Sequence, residues 1–283
     1  MTQIRKVPLS AGAEWVLGGF ALLRKAPVAL SILGLIWGGL SALASFTGQV
    51  WMSLVLAVLG PILFGGVIYA AREVDQGRSA APGHLLQGLR EGRGGRLLAM
   101  LLPQLIALAV LVVLLVVMIG PAQLEHIAQV MEQMKTNPDP ELAQKLPAGR
   151  MMGWLLVALV VGLVAGLFTF LAIPDVMFTE RGAFAAMAVS FRACMRNLGA
   201  LLMMTLLLFI AVFAMSLACN LLMYVLALAI GQMPAMFVAQ LLLMSVMLPL
   251  MGGVVYYAWR GLLGEAPLPA ASAGTGSDGH IEA

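Results

Sequence analysis

The chain has 283 residues, of which 61% are hydrophobic and 10% charged, with 16 lysines and arginines against 13 acids and a mean hydropathy of +0.99. Soluble domains carry about 25% charged residues, so this composition excludes an ordinary water-soluble fold and indicates a bilayer protein. The basic residues fall in short segments between apolar runs and form no long stripe, which ties the charge balance to topology and speaks against nucleic acid as a partner.

Residues 1–6 are polar and basic, and the first sustained apolar run starts at about residue 28, too late and too long for a signal peptide, so no cleavage is expected. Between them, residues 10–25 have the spacing of an amphipathic helix. Trp15, Phe20 and Leu23 gather apolar surface, Glu14 lies in the first turns, and Arg24 and Lys25 complement the negative end of the helix dipole. Two spans of about 20 residues follow, 28–46 and 50–71, each long enough to cross about 30 Å of hydrocarbon. Only three residues join them, which predicts a tight hairpin. Gly34, Gly38 and Gly39 on the first, with Gly60, Gly65 and Gly66 on the second, are expected to let helix backbones approach closely.

The polar segment 72–96 carries five arginines and an amphipathic piece with Leu85, Leu86 and Leu89, interrupted by Gly92, Gly94 and Gly95. It lacks the Gly-Lys-Ser/Thr ending of a phosphate-binding loop, and His84 reads as an exposed or interfacial side chain. A third span runs over 97–119. In the polar stretch 121–150, Leu124, Ile127, Met131 and Met134 share one helical face, and Asn137-Pro138-Asp139-Pro140 breaks that helix before a shorter one at 141–146. His126 near Glu125 and Glu132 is read as part of a solvated face, since no second histidine completes a metal set. The fourth span, 151–173, holds Gly162 and Gly166 in a Gly-xxx-Gly pair.

Pro174 is expected to stop or kink that span. Asp175, Glu180 and Arg181 mark water or headgroups. From Ala183 the pattern is helical again, with Phe184, Met187, Phe191 and Met195 on one face and Arg192 and Arg196 on another. A basic amphipathic helix feeding directly into the next span would lie in the headgroup plane. Asp175, Arg192, Arg196 and Asn197 are therefore the candidate interfacial lipid contacts. The fifth apolar run extends from Leu198 to Ile230, with the crossing placed at 198–222. Residues 219–234 are either a tilted extension or a short re-entrant or interfacial piece. The sixth span covers 235–259, and 264–283 has the composition of a disordered tail.

With six spans, the amino-terminal segment, the 72–96 and 175–196 segments and the tail share one side and hold 13 of the 16 basic residues; only Lys135, Lys145 and Arg150 lie on the other. The positive-inside rule then predicts cytoplasmic termini. Gly65-Gly66-Val67-Ile68-Tyr69 echoes Gly252-Gly253-Val254-Val255-Tyr256, each after a proline, Pro61 or Pro249. The predicted fold is an all-α polytopic membrane bundle of three hairpins, each preceded by a cytoplasmic amphipathic helix, in a parallel repeat.

Ile173-Pro174-Asp175, the run from Ala188 to Asn197 that includes Ser190-Phe191-Arg192-Ala193-Cys194-Met195-Arg196-Asn197, and the run from Gly19 to Pro27 resemble an uncharacterised group of proteobacterial six-helix inner-membrane proteins. More distantly they are similar to YciC-like proteins and to the membrane domain of some glycerophosphodiester phosphodiesterases. The resemblance implies a fold and an inner-membrane location and brings no catalytic residues. The sequence itself shows no HExxH, no Gly-x-Ser-x-Gly and no acid within a span, and Cys194 and Cys219 have no metal spacing. We therefore expect no enzyme, no cofactor and no ion coupling. Two readings stand: an accessory or scaffold protein that assembles with a membrane-protein partner or itself, and a protein that handles a lipid-like substrate. Anionic headgroups on the cytoplasmic side are the expected lipid partners.

Overall fold

The computed structural model describes residues 4–136 and 146–264, apart from the side chain of Phe46. The expected break at 137–140, most of the short helix at 141–146 and the tail beyond Gly264 lie outside the described residues. Among those described there is no strand, and six helices are long and apolar enough to cross a membrane.

The amphipathic helix α1 (Ala11–Lys25) ends at Ala26, where the backbone leaves helical geometry, and Pro27 opens α2 (Pro27–Phe46). Proline suits that position because its missing N–H would be an orphan there in any case. A turn at Gly48, with φ of +64°, leads into α3 (Val50–Asp75), which continues through Pro61. The connection to the third span is not one amphipathic helix as expected. It is a chain of short turns: a 3-10 turn Pro82–Leu86, α4 (Gln87–Arg90), α5 (Gly94–Leu98) and a second 3-10 turn Ala99–Leu101. Gly92 at φ +68° divides it, a conformation that bulkier residues resist. The third span continues as α6 (Leu102–Ile119) and is followed by α7 (Pro121–Thr136).

The fourth span is α8 (Ala148–Thr169), a break at Phe170 and Leu171, and α9 (Ala172–Phe178). The amphipathic α10 (Ala183–Arg196) runs into α11 (Leu198–Ile230), a single helix of 33 residues. At 1.5 Å per residue it is about 50 Å long, so residues 219–230 extend the helix and form no re-entrant piece. Gly231, φ +84°, is the turn into α12 (Gln232–Leu262).

The core gathers on α12. Leu250, Val254, Ala258 and Leu262 are buried against Trp15 and Val16 of α1 and Leu201, Met204 and Leu208 of α11. Val255 and Tyr256 join Leu30 and Leu33 of α2 and Val67, Ile68 and Ala71 of α3. Close approach is made by glycine: a Cβ at Gly12 would stand 2.1 Å from the Ala200 carbonyl oxygen, and one at Gly34 2.4 Å from that of Met244. With hydrocarbon on all sides, such van der Waals contact takes the place of a hydrophobic drive to associate.

The segments that follow the first and second hairpins pack back on them. The 82–98 turns lie on α3, α10 lies on α8 and α9, and α1 closes the series on α11 and α12. The second hairpin stands apart within the apolar layer. α6 packs mainly on α8, and α8 on α6 and α10, and 11% of the most apolar stretch of the third span is buried, against 44% in the second and sixth.

Candidate functional site

The ionisable side chains converge at the end of the bundle that carries most of the arginines. Asp75 closes α3, where it accepts hydrogen bonds from Tyr256 at 2.9 Å and Tyr257 at 2.7 Å and pairs with Arg260 at 2.6 Å, all three from α12. Lys25 Nζ reaches the Asp75 carbonyl at 3.2 Å, so α1 ends on the same knot. Charge-assisted bonds of this kind are about twice as strong as neutral ones. Sequence reasoning passed over Asp75. Its signal was two tyrosines one turn ahead of an arginine at the close of the sixth span.

Asp175, on α9, is 1% exposed. It pairs with Arg181 and accepts from Trp259 Nε1 at 3.3 Å. Around this pair the Phe178 ring meets Trp259 at 4.9 Å and Tyr256 at 6.1 Å, with the Arg72 guanidinium 4.8 Å from the Phe178 centroid. Arg93 donates to the carbonyls of Val176 and Thr179 at 2.6 and 2.7 Å and pairs with Glu180. These bonds satisfy the carbonyls that the end of α9 leaves open.

Ser190 explains the break in the fourth span. Its hydroxyl donates to the Leu167 carbonyl at 2.7 Å and accepts from the Leu171 amide at 3.0 Å. Those two groups would bond each other in an unbroken helix, so the hydroxyl stands inside the ladder and bends it. Three residues on, Pro174 supplies no N–H for the carbonyl of Phe170. Cys194 lies one turn from Ser190 and is fully buried; burial pushes its thiol up to about 12, with the Ser190 hydrogen bond working in the opposite direction.

The four candidate lipid contacts separate into two pairs. Asp175 and Asn197 are buried and bonded internally, which removes them from the headgroup surface. Asn197 Oδ1 accepts from the Val7 amide at 2.9 Å, and its Nδ2 donates to the carbonyls of Arg5 and Ala193, so it ties the amino-terminal segment to the junction of α10 and α11. A buried polar side chain is kept by such bonds because leaving it bare costs more than the bond gains. Arg192 and Arg196 are exposed. The face of α10 turned to the protein is also not the Phe184–Met195 stripe alone: Ala183, Ala186, Ser190, Ala193 and Cys194 are buried with Met187, while Phe184 and Met195 are exposed. Small residues win that face because α8 and α9 approach closely there.

Two lateral grooves flank α8. One, of about 570 Å³, lies between α6, α8 and α10 and is lined by residues that include Leu102, Ile106, Val164, Phe168 and Phe184. The other, of about 450 Å³, lies between α8 and α11 and includes Gly162, Gly166, Leu201 and Thr205. Nothing stands within 4 Å of a Cβ built at Gly162 or Gly166, so among the described residues no helix makes close contact with this pair. Among the described residues, no three His, Cys, Asp or Glu side chains gather as a metal set.

Compared with protein-family models, with curated proteins and with solved structures, the chain matches none.

Proposed function

We propose that this is a non-enzymatic accessory or scaffold protein of the bacterial inner membrane, with both termini cytoplasmic, whose second hairpin receives a transmembrane helix of another membrane protein. The observation that carries the reading is the contrast between glycines. Gly12, Gly34, Gly66 and Gly253 are each filled by a neighbouring element within the chain, whereas Gly162 and Gly166 face an open groove. Open glycines on a membrane helix allow a second backbone to approach. The polar knots at the basic end support the same reading, since their charged groups are engaged in holding helix ends together. The orientation rests on the distribution of basic residues, and the inner-membrane location on the resemblance carried by Ile173-Pro174-Asp175 and the Ser190–Asn197 run.

The test is photo-crosslinking in intact membranes from position 163, beside the glycine groove, with position 228 on α11 as the control. Leu163 and Leu228 are both exposed, at 58% and 90%. One protein adduct of discrete mass from 163, absent from 228 and lost in Gly166→Leu, supports the reading. The same adducts from both positions would overturn it.

The second reading, handling of a lipid-like substrate, is favoured by the other groove, which is apolar throughout and opens sideways beside an interfacial helix.

A further inference from the structure

We infer that the groove between α6, α8 and α10 holds one acyl chain of an anionic phospholipid, with the phosphate bound by Arg192. This site lies on the other flank of α8 from the glycine pair and does not depend on a protein partner docking there.

The groove wall explains the chain. From Leu102 to Val110 along α6 is eight residues, so the groove reaches about 12 Å from the interfacial helix into the hydrocarbon layer. Its lining offers an acyl chain only apolar surface. Water has no place in it, because a buried water needs two to four polar partners. In a bilayer the neighbouring molecules are lipid chains, and one that enters here from the side keeps its headgroup at the level of α10.

The charge explains the headgroup. Phe184, Ala188 and Arg192 stand on successive turns of α10, and the first two line the groove. Arg192 folds back along the helix so that its Nε donates to the Ala188 carbonyl at 3.1 Å. The guanidinium is thereby held beside the groove wall, exposed, and no carboxylate pairs with it among the described residues. Both terminal nitrogens keep their N–H groups for a ligand, in the fork geometry that matches phosphate oxygens. Arg196, one turn further on, is also exposed but stands eight residues past Ala188, the last residue of α10 that lines the groove, which makes it the internal control for charge.

The test uses the full chain in nanodiscs and native mass spectrometry, titrating phosphatidylglycerol against phosphatidylcholine. Wild-type protein is expected to retain one phosphatidylglycerol in preference to phosphatidylcholine. Arg192→Gln is expected to weaken that adduct about tenfold, the loss of a charge-assisted hydrogen bond to phosphate, and Arg196→Gln, which removes only the diffuse attraction of one charge to the leaflet, to weaken it clearly less. Val164→Trp, which fills the groove without touching charge, is expected to weaken both lipids. Equal losses from Arg192→Gln and Arg196→Gln would mean diffuse attraction to the leaflet and overturn the site. Unchanged binding in Val164→Trp would overturn the acyl pocket. Should Val164→Trp fail to fold, Ala107→Phe from the facing wall takes its place with the same two outcomes.

Discussion

The phenol of Tyr257 on α12 donates a 2.7 Å hydrogen bond to the carboxylate of Asp75, the last residue of α3. Tyr256 and Arg260 reach the same carboxylate, so a single acid joins the first and third hairpins where they emerge from the apolar layer. Asp75→Ala leaves three donors without their acceptor and is expected to cost about 2 kcal/mol, while Tyr257→Phe, which removes one bond and keeps the ring, is expected to cost about 1 kcal/mol. Thermal unfolding of the purified variants checks the order. Equal midpoints for wild type and Asp75→Ala would show that the knot is decorative.

Glycine contact predicts a second contrast. Gly12→Ala places a methyl 2.1 Å from the Ala200 carbonyl oxygen and 2.8 Å from the Met204 amide nitrogen, both backbone atoms that cannot step aside. Separating α1 from α11 is expected to cost about 1–3 kcal/mol, the usual range of overpacking penalties in tight cores. Gly162→Ala meets open space and gains helix propensity of about 1 kcal/mol, so the isolated protein is expected to be as stable as wild type or more so. Paired melting curves in one detergent decide between these signs.

His84 gives a pH dependence. It lies in the 3-10 turn before the third span, its Nδ1 accepts from the Ala81 amide at 3.2 Å, and its ring meets Tyr69 edge-on at 5.2 Å. Burial holds its pKa below the usual 6.5, with Arg90 acting in the same direction and Glu73 against it. A histidine whose pKa is lowered on folding favours the neutral form in the native state. Its contribution is therefore fully present above pH 6.5 and is lost as the pH falls from there toward the folded value. The melting temperature of wild type is expected to drop between pH 7.5 and 5.5 more than that of His84→Gln, whose amide oxygen can accept the Ala81 bond without titrating.

The six helices long and apolar enough to cross a membrane, and the helical course of 11–25 and 183–196, were legible in the sequence because each rests on a local property: apolar length, a proline, a helical spacing. Gly231 was not legible as the turn into α12, since Cys219 to Gln232 carries no charge to mark water. The internal partners of Asp175 and Asn197 were hidden for another reason. A polar residue at the end of a span reads as solvent-facing, and only the approach of α12 and of the amino-terminal segment turns it inward. Conversely, Gly162-xxx-Gly166 carries the local signature of a packed pair, but whether a helix fills it depends on where α11 runs.

Ser190 and Cys194 together supply a test of the bent fourth span. At pH 8 a thiol with a pKa of about 12 is thiolate in only about one part in 10,000, and Cys194 is sealed from solvent. In a Cys219→Ser background, iodoacetamide is expected to label Cys194 slowly but measurably in the folded protein and rapidly in denaturant. Ser190→Ala then separates two effects of opposite sign. The lost hydrogen bond to the thiolate would slow labelling, whereas loss of the hydroxyl that bridges Leu167 and Leu171 leaves a buried amide and a buried carbonyl unsatisfied, at a cost of about 1–3 kcal/mol. If that cost falls on the contact between α10 and the α8–α9 bend, local opening becomes about tenfold more frequent and labelling speeds up by the same factor. Faster labelling with an unchanged far-ultraviolet spectrum shows that the serine holds the bend against α10. Slower labelling shows that the bend stands on Pro174 without it.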